Sequence, residues 1–258
     1  MKTIARLAAA AALLAATAGF ASAQTVKVGF SPEAYPPFWS ADASGKWGGW
    51  EVEIIDAICT EAKLTCELTP IPWDGLIPAL TTKKIDAIMN SMSITDERKK
   101  TIDFTDKYYN TPTAVIGPKG EAFTADPAGL KGKIIGVQVS TTHSAYVKKH
   151  FTEAAEIKEY QTQDEANQDL AAGRIDATQA DAIALDAFLK SEAGMACCDL
   201  KGNVAEDLEI LGPGVGAGLR KEDTELKGKL NAAIKAIRDN GKYGEITKKY
   251  FDFDVYGG

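Results

Sequence analysis

Imidazole side chains are scarce in this sequence of 258 residues, which contains only His143 and His150. No Gly-x-Ser-x-Gly turn is present, so the nucleophile elbow of a serine hydrolase is excluded. Cysteine and histidine never form two pairs at the spacing that zinc sites use, which disfavours a metal site. Because no nucleophile is paired with a base, we expect a protein that is not an enzyme and that holds no cofactor.

An excess of positive charge is also lacking. The 29 Lys and Arg residues are outnumbered by 36 Asp and Glu residues, and the formal net charge is −7. Nucleic acids and anionic lipid surfaces are bound by clustered positive charge, so neither is predicted as a partner. Glycines at positions 212, 214, 216 and 218 lack the Gly-Lys-Ser/Thr ending of a phosphate loop. A strand with close backbone approach is the better interpretation of these glycines.

Long apolar runs are absent except at the start of the chain, where residues 7–20 are rich in Ala and Leu. Lys2 and Arg6 precede this run, and the small-x-small pattern at residues 21–23 follows it. The run is short for a membrane span of ~30 Å. We therefore predict a cleaved secretory signal peptide over residues 1–23, with Gln24 as the first mature residue. No lipobox cysteine follows, so a free periplasmic protein is expected.

Removal of the signal peptide has two consequences for the mature chain. Loss of Lys2 and Arg6 moves the formal charge from −7 to −9, and loss of 23 of the 258 residues leaves 235. A chain of that length usually exceeds one simple core, so one large domain or two lobes is expected.

All four cysteines lie in the mature chain, and pairing is the default in an oxidising compartment. Cys59 and Cys66 are seven positions apart, and a bridge between them would restrict the unfolded chain by roughly 2–3 kcal/mol. Cys197 and Cys198 are adjacent. This second pair is compatible with a vicinal disulfide, two free thiols or half of a metal site.

Strand-like and helix-like segments alternate along the mature chain, which indicates α/β architecture. The predicted strands are residues 26–30, 66–71, 85–89, 113–117, 134–139 and 177–179. Helical spacing of apolar residues predicts helices over 50–62, 76–82, 142–150, 163–172 and 182–189. Residues 224–250 predict two amphipathic helices that break near Asn240 and Gly241. One unit occurs twice, because residues 80–87 and 170–177 each join a helix end and a basic turn to Ile-Asp-Ala.

Seven motifs in a fixed order carry a family resemblance over essentially the whole mature chain. They are residues 34–38 (AYPPF), 50–53 (WEVE), 73–78 (WDGLIP), 91–98 (SMSITDER), 173–177 (GRIDA), 218–223 (GLRKED) and 249–252 (KYFD). Together they resemble the polar amino-acid-binding proteins of ATP-driven importers, which are bacterial solute-binding proteins of family 3. Within that family, the lysine/arginine/ornithine- and histidine-binding group is the most similar.

The resemblance implies a two-lobed, type II periplasmic-binding-protein-like α/β fold with two crossing segments. Lobe 1 would contain residues 24–111 and 211–258, and lobe 2 residues 112–210. The chain would cross near residues 110–112 and 209–212, and the lobes would close on the ligand by a hinge motion. The resemblance also implies a Cys59–Cys66 disulfide, a monomer, and delivery of an amino acid to the membrane permease of an ABC importer.

Ten ligand-binding residues follow from matching the family pattern to this sequence. They are Glu33, Tyr35, Trp73, Asn90, Ser91, Ser93, Arg98, Thr141, Thr142 and Asp181.

The recognition of the α-carboxylate is predicted to centre on Arg98, whose planar guanidinium matches two carboxylate oxygens. Thr95 would cap a helix that places Arg98 in its first turn. Ser93, Thr142 and Thr141 would add hydroxyl and backbone N–H donors. Without the family resemblance, Arg98 would be interpreted as a surface residue paired with an acid such as Glu97, and the threonines as turn caps.

The remainder of the ligand is predicted to meet acids, aromatic rings and amides. Asp181 would bind the α-ammonium, although its position also suits a helix N-cap. Tyr35 and Trp73 would flank the ligand side chain, where a cationic head gains roughly 0.5–2 kcal/mol from an aromatic face. The distal end of the ligand would be read by side chains from the set Glu33, Glu51, Asn90 and Ser91.

Three departures from the family pattern fall where the ligand side chain would be read. The loop over residues 29–35 is one residue longer, Asn90 replaces a serine, and Gln138 stands where an aliphatic residue is common. Carboxylates near the distal end favour a basic amino acid, and the three departures leave an opine-type amino-acid conjugate as the alternative. A dehydratase-type enzyme on the same scaffold is a further, weaker alternative.

Overall fold

The computed structural model describes residues 24–257, so the predicted signal peptide over residues 1–23 lies outside the described residues. The strands are β1 (Gln24–Phe30), β2 (Ser40–Ala41), β3 (Trp47–Gly48), β4 (Leu64–Pro70), β5 (Ala87–Ile88), β6 (Asp103–Phe104), β7 (Thr113–Pro118), β8 (Ile134–Gln138), β9 (Glu156–Tyr160), β10 (Ala177–Asp181), β11 (Cys198–Asn203) and β12 (Gly218–Leu219). The helices are α1 (Trp50–Glu61), α2 (Leu76–Thr81), α3 (Asp96–Lys99), α4 (Thr142–His150), α5 (Gln163–Ala171), α6 (Ala182–Leu189), α7 (Glu192–Cys197), α8 (Leu208–Leu211), α9 (Thr224–Asp239) and α10 (Lys242–Thr247), with a 3-10 turn at Trp73–Gly75.

Two five-stranded sheets organise the fold. The first has the order β4-β1-β5-β12-β6, and the second has the order β11-β7-β10-β8-β9. In the first sheet β1 pairs in parallel with β4 and β5, and in the second β8 pairs in parallel with β9 and β10. Each sheet then continues through antiparallel pairings, of β5 with β12 and β12 with β6 in the first and of β10 with β7 and β7 with β11 in the second. The predicted α/β class is confirmed, while the lobe bounds stay a prediction.

The duplicated Ile-Asp-Ala unit occupies equivalent positions in the two sheets. Asp86 donates its backbone N–H to the Lys27 carbonyl at 2.7 Å and accepts the Lys27 N–H through its carboxylate at 3.0 Å. Asp176 does the same with Ile134, at 2.8 and 2.7 Å. Each aspartate therefore links the segment before one strand to its parallel neighbour, at the middle of β1 for Asp86 and at the start of β8 for Asp176.

The isoleucine of each unit is buried against a glycine on the neighbouring strand. A Cβ atom on Gly29 would lie 2.2 Å from Cδ1 of Ile85, and one on Gly136 would lie 2.5 Å from Cδ1 of Ile175. Both isoleucines are almost fully buried. The sequence parallel is therefore a packing parallel as well.

The core behind the first sheet includes the long helices. Ile54 and Ile58 of α1 are buried with Leu230 and Ile234 of α9. The indole nitrogen of Trp50, at the start of α1, donates to the Thr247 hydroxyl at 3.1 Å. The predicted break between the two C-terminal helices lies at Gly241, which adopts φ 83°. Within residues 24–257, none of the helices is long and apolar enough to cross a membrane.

Both cysteine pairs are bridged. Cys59 near the end of α1 is joined to Cys66 in β4, with Cα atoms 6.1 Å apart, as predicted. Cys197 and Cys198 form a vicinal disulfide where α7 meets β11. Of the three alternatives left open by the sequence, the structure therefore contains the first.

The glycine-rich segment before β12 runs close to the first sheet. Val215 forms isolated bridges with Ser93 and with Tyr109, and Gly218 pairs with Ile88 and Phe104. Close backbone approach is therefore observed, although the regular strand is limited to two residues.

Candidate ligand-binding site

All ten residues predicted from the sequence line one cavity between the two sheets. The cavity lies at the carboxyl ends of the parallel strands: Glu33 and Tyr35 follow β1, Trp73 follows β4, and Asn90 follows β5. From the second sheet, Gln138 ends β8, Thr162 follows β9 and Asp181 ends β10. This is the position where open α/β sheets commonly bind ligands.

One end of the cavity is dominated by Arg98. Thr95 caps α3 by accepting the Arg98 backbone N–H at 3.2 Å. The guanidinium donates to the Ser93 carbonyl at 2.8 Å and to the Ser140 carbonyl at 3.3 Å. Among the described residues, no carboxylate lies within ion-pair distance of it, and its sequence neighbour Glu97 pairs with Lys100. Burial lowers the pKa of Arg98 to about 10. Because this value is still well above neutral pH, the side chain remains charged.

The indole of Trp73 lies beside this cation. The Arg98 guanidinium carbon is 5.5 Å from the centre of the Trp73 ring, which is a cation–π distance. Trp73 is half-buried, but its ring nitrogen is buried and has no hydrogen-bond partner within residues 24–257. The ring lines the cavity on one side and packs against the apolar cluster that includes Leu76 on the other.

The two threonines at the start of α4 have different roles. Thr141 is the N-cap, since its hydroxyl accepts the Ser144 N–H at 3.0 Å while donating to the Gln138 carbonyl at 2.7 Å. Its single hydroxyl hydrogen is thereby committed, so the expected hydroxyl donation from Thr141 to a ligand conflicts with this geometry. Thr142 is the first residue of the helix, and the N–H groups of a first turn have no partner within the helix. The alternative interpretation as a turn cap therefore holds for Thr141 and not for Thr142.

The opposite side of the cavity presents Asp181. This residue is the N-cap of α6 by position, but its side chain makes no capping hydrogen bond. The carboxylate instead accepts the Tyr35 hydroxyl at 2.7 Å, and Nε2 of His143 lies 3.7 Å from it. Burial raises the pKa of Tyr35 well above its usual value, so the phenol stays protonated. The alternative role of Asp181 as a simple capping residue is therefore not supported.

Tyr35 is held by a cluster of aromatic rings. Its ring centre is 5.2 Å from that of Trp39 and 5.9 Å from that of Phe38. The Trp39 indole nitrogen donates to the Glu33 carbonyl at 2.6 Å, which fixes the loop after β1. This cluster presents the Tyr35 ring at the cavity.

The residues after β5 present both an amide and a hydroxyl. Asn90 is fully buried; its side-chain oxygen accepts the Ser31 N–H at 2.7 Å, and its side-chain nitrogen has no partner in the described chain. The carboxylate of Glu33 accepts a hydrogen bond from the Ser31 hydroxyl. Ser91 lines the cavity, whereas Glu51 lies behind it and does not. Of the four side chains that the sequence offered for reading the distal end of the ligand, Glu51 is therefore the one that does not line the cavity.

Seven residues that line the cavity were not predicted as ligand-binding: Ser31, Ala34, Trp39, Gln138, His143, Thr162 and Gln163. Most of them adjoin a predicted residue in sequence or stand just after a parallel strand. The carboxyl ends of the predicted strands were the available signal, and they would have identified Gln138 and Ser31. Thr162 and Gln163 follow β9, a strand that was not predicted.

Two sheets that face a shared cavity, with an unpaired guanidinium and a carboxylate among its lining, define a two-lobed solute-binding protein. The profile of bacterial extracellular solute-binding proteins, family 3, matches residues 26–253. The chain belongs to this family.

Individual relatives are similar over nearly their whole length. An L-arginine-binding protein of Pseudomonas aeruginosa is 46% identical over 100% of this chain and 99% of its own. A histidine-binding periplasmic protein of Salmonella typhimurium is 42% identical over 96% and 95%. A solved structure of an ancestral arginine-binding protein bound to arginine has a TM-score of 0.80 and 34% identity, covering 88% of this chain and 98% of its own. These relatives are binding proteins, so this chain is a solute-binding protein and the dehydratase alternative is not supported.

Proposed function

We propose that this chain captures a basic amino acid in the cavity between its sheets and delivers it to the membrane permease of an ABC importer. The observation that carries the proposal is the arrangement of Arg98 and Asp181 in one cavity. Arg98 is charged and has no carboxylate partner in the described chain, and Asp181 presents a carboxylate from the other sheet. An α-amino acid offers the two complementary charges.

The charges that line the cavity favour a basic side chain over a neutral one. With His143 counted as neutral, the cavity contains one cation, Arg98, and two carboxylates, Asp181 and Glu33. A ligand with one carboxylate and two cationic groups would balance them. The similarity to proteins named for binding arginine and histidine supports the same ligand class.

Family membership supports the proposed route of delivery. We propose that residues 1–23 are removed on export and that the mature chain acts in the periplasm as a monomer. Its lobes would be residues 24–111 with 211–258, and residues 112–210. Closure of these lobes around the ligand would create the surface that the permease recognises.

A thermal-shift panel tests the ligand class. Protein freed of co-purified ligand by unfolding and refolding is melted with arginine, lysine, ornithine, histidine and with neutral and acidic amino acids. A ligand at 100 times its Kd stabilises the folded state by ~2.7 kcal/mol. We expect the basic set to raise the Tm most. Absence of a shift with every amino acid would refute the proposal.

A second candidate ligand is an amino-acid conjugate of the opine type. The side-chain nitrogen of Asn90 and the indole nitrogen of Trp73 are both buried donors without an acceptor in the described chain. Buried donors without partners are costly, and a ligand with an additional carboxylate would supply acceptors. Octopine and nopaline in the same panel test this candidate. A larger Tm shift with a conjugate than with arginine would favour it.

A further inference from the structure

Glu51 is a buried acid directly behind the cavity wall. It lies in the first turn of α1 and is 0% exposed. Its carboxylate accepts three hydrogen bonds: the Ser91 N–H at 2.8 Å, the Ser91 hydroxyl at 2.9 Å, and the Tyr108 hydroxyl. Two of the three donors therefore belong to a residue that lines the cavity.

These contacts fix the direction of the hydrogen bonds around Ser91. Burial raises the pKa of Glu51 to about 7, so at pH 8.5 its carboxylate is ionised and can only accept. The Ser91 hydroxyl must then give its single hydrogen to Glu51. Tyr109 also contacts the Ser91 oxygen, and it must then be the donor of that bond. One lone pair of Ser91 Oγ remains. Ser91 can therefore meet a ligand only as an acceptor.

The backbone at Ser91 depends on the same carboxylate. Ser91 adopts φ 53°, a left-handed conformation that is uncommon for residues other than glycine. Such conformations persist where surrounding contacts determine them, and here the Ser91 N–H is bonded to Glu51. Glu51 thus holds both the backbone and the hydroxyl of Ser91.

We propose that Glu51 is a positioning residue that fixes Ser91 Oγ as a hydrogen-bond acceptor for an N–H group of the bound amino acid. The inference rests on the proposed function and adds a direction to one of its contacts. An acceptor at this point favours ligands that carry a cationic nitrogen there and disfavours ligands that present an oxygen acceptor.

The Glu51→Gln substitution reverses the direction of the hydrogen bond between residue 51 and Ser91 Oγ without changing the shape of the side chain at position 51. The new amide nitrogen would donate to Ser91 Oγ, and the Ser91 hydrogen would be released toward the cavity. Binding is measured by calorimetry at pH 8.5, above the pKa of Glu51, for three probes. They are L-arginine, L-citrulline, in which a ureido group replaces the guanidinium, and the 2-hydroxy analogue of arginine, in which a hydroxyl replaces the α-ammonium. The analogue whose discrimination changes identifies the ligand group that meets Ser91.

We expect Glu51→Gln to weaken arginine binding about tenfold, the net value of one charged hydrogen bond. The preference for arginine over one of the two analogues should fall by a similar factor. In a Ser91→Ala background, the same substitution should leave that preference within about twofold, because coupled residues do not act additively. Glu53→Gln is the matched control, since it makes the same change on the same helix at a carboxylate that bonds Lys249 and Tyr250 and not Ser91, and it should leave the preference unchanged.

Two results would overturn the inference. One is an equal loss of affinity for all three probes on Glu51→Gln, which indicates a purely structural role. The other is an unchanged effect of Glu51→Gln when Ser91 is replaced by alanine. If the wild-type protein binds neither arginine nor any other amino acid, the proposed function fails and the positioning role with it. If it binds arginine and the preference does not change, the positioning role alone fails.

Discussion

The Tyr35 hydroxyl donates a 2.7 Å hydrogen bond to the carboxylate of Asp181, and this bond joins the two sheets across the cavity. Tyr35 belongs to the loop after β1, whereas Asp181 is the last residue of β10. A second link runs from the Arg98 guanidinium to the Ser140 carbonyl at 3.3 Å. Tyr35, Arg98 and Asp181, which are predicted to bind the amino acid, therefore also form hydrogen bonds that link the two sheets.

Tyr35→Phe removes the first link and retains the aromatic ring. A hydrogen bond to a charged group is worth about 1.5–3 kcal/mol, and part of this would be recovered by the ligand ammonium. We expect amino-acid affinity to fall about 5- to 10-fold, as measured by calorimetry. Tyr250→Phe is the control, because Tyr250 donates to Glu53 at 2.7 Å away from the cavity. Equal effects of the two substitutions would contradict a role for the cross-sheet bond in binding.

Arg98→Ala should abolish measurable binding while the protein stays folded. Two charged hydrogen bonds to a carboxylate are worth at least ~3 kcal/mol, which corresponds to a loss of more than ~100-fold. Arg98→Lys should restore little, because an ammonium lacks the planar fork. Binding is followed by calorimetry and folding by circular dichroism.

Arg174→Ala is the matched control for Arg98. Arg174 is exposed and is paired with Asp169, so its removal should leave the affinity unchanged. Normal affinity in Arg98→Ala would exclude Arg98 as the carboxylate partner.

Periodicity predicted the buried elements well and the sheet edges poorly. The predicted bounds of α4 and α6 agree with the structure, and β1, β4, β7 and β8 were found within two residues. The strands that were not predicted include β9 and β11, which are the two edges of the second sheet. Edge strands commonly carry charge, and β9 has the sequence Glu-Ile-Lys-Glu-Tyr. This charged composition lacks the apolar pattern by which the other strands were predicted.

The site was predictable in residue type but not in hydrogen-bond partners. Arg98 and Asp181 carry the right chemistry, and the family pattern identified them. That Thr141 is the cap, or that Glu51 bonds to Ser91 forty residues away, depends on tertiary packing. A single sequence, read by local pattern, does not indicate which distant residues come into contact.

The two disulfides should contribute unequally to stability. The Cys59–Cys66 bridge spans seven positions, whereas the Cys197–Cys198 bridge closes almost no chain. In the chain-entropy model a short loop of the first kind is worth roughly 2–3 kcal/mol. We therefore expect Cys59→Ala/Cys66→Ala to lower the free energy of unfolding by about that amount in urea denaturation. Cys197→Ala/Cys198→Ala should cost clearly less, and the reverse order would contradict the entropic explanation.

Gly212 should not tolerate a side chain. It adopts φ 76°, and a Cβ atom there would lie 2.0 Å from the Ile94 carbonyl oxygen. Gly132 has a similar φ of 73° but no atom within 4 Å of such a Cβ. Gly132→Ala should thus cost only the left-handed penalty of about 1–2 kcal/mol. Gly212→Ala should cost at least ~2 kcal/mol more in urea denaturation, and equal losses would show that the clash is relieved.

Glu51 should make stability fall as pH rises. Burial raises its pKa from 4.5 to about 7, so the folded protein retains a proton that the unfolded chain releases. The resulting stabilisation is fully present below pH 4.5 and is lost as pH rises through about 7. Glu51→Gln removes this titration. We therefore expect the free energy of unfolding of the variant, relative to the wild type, to increase by about 3 kcal/mol across that range.

Glu53 provides the opposite case on the same helix. The hydrogen bond from Lys249 holds the pKa of Glu53 below its usual value, so its stabilisation is present at neutral pH and is lost as pH falls. The wild type should therefore be more stable than Glu53→Gln at neutral pH, and this difference in the free energy of unfolding should shrink toward acid pH. The trend is opposite in sign to that of Glu51→Gln. Urea denaturation at a series of pH values measures both slopes. A flat profile for Glu51→Gln relative to the wild type would mean that Glu51 is ionised at the same pH in the folded and unfolded states, as it would be if its three donors fully offset the cost of burial.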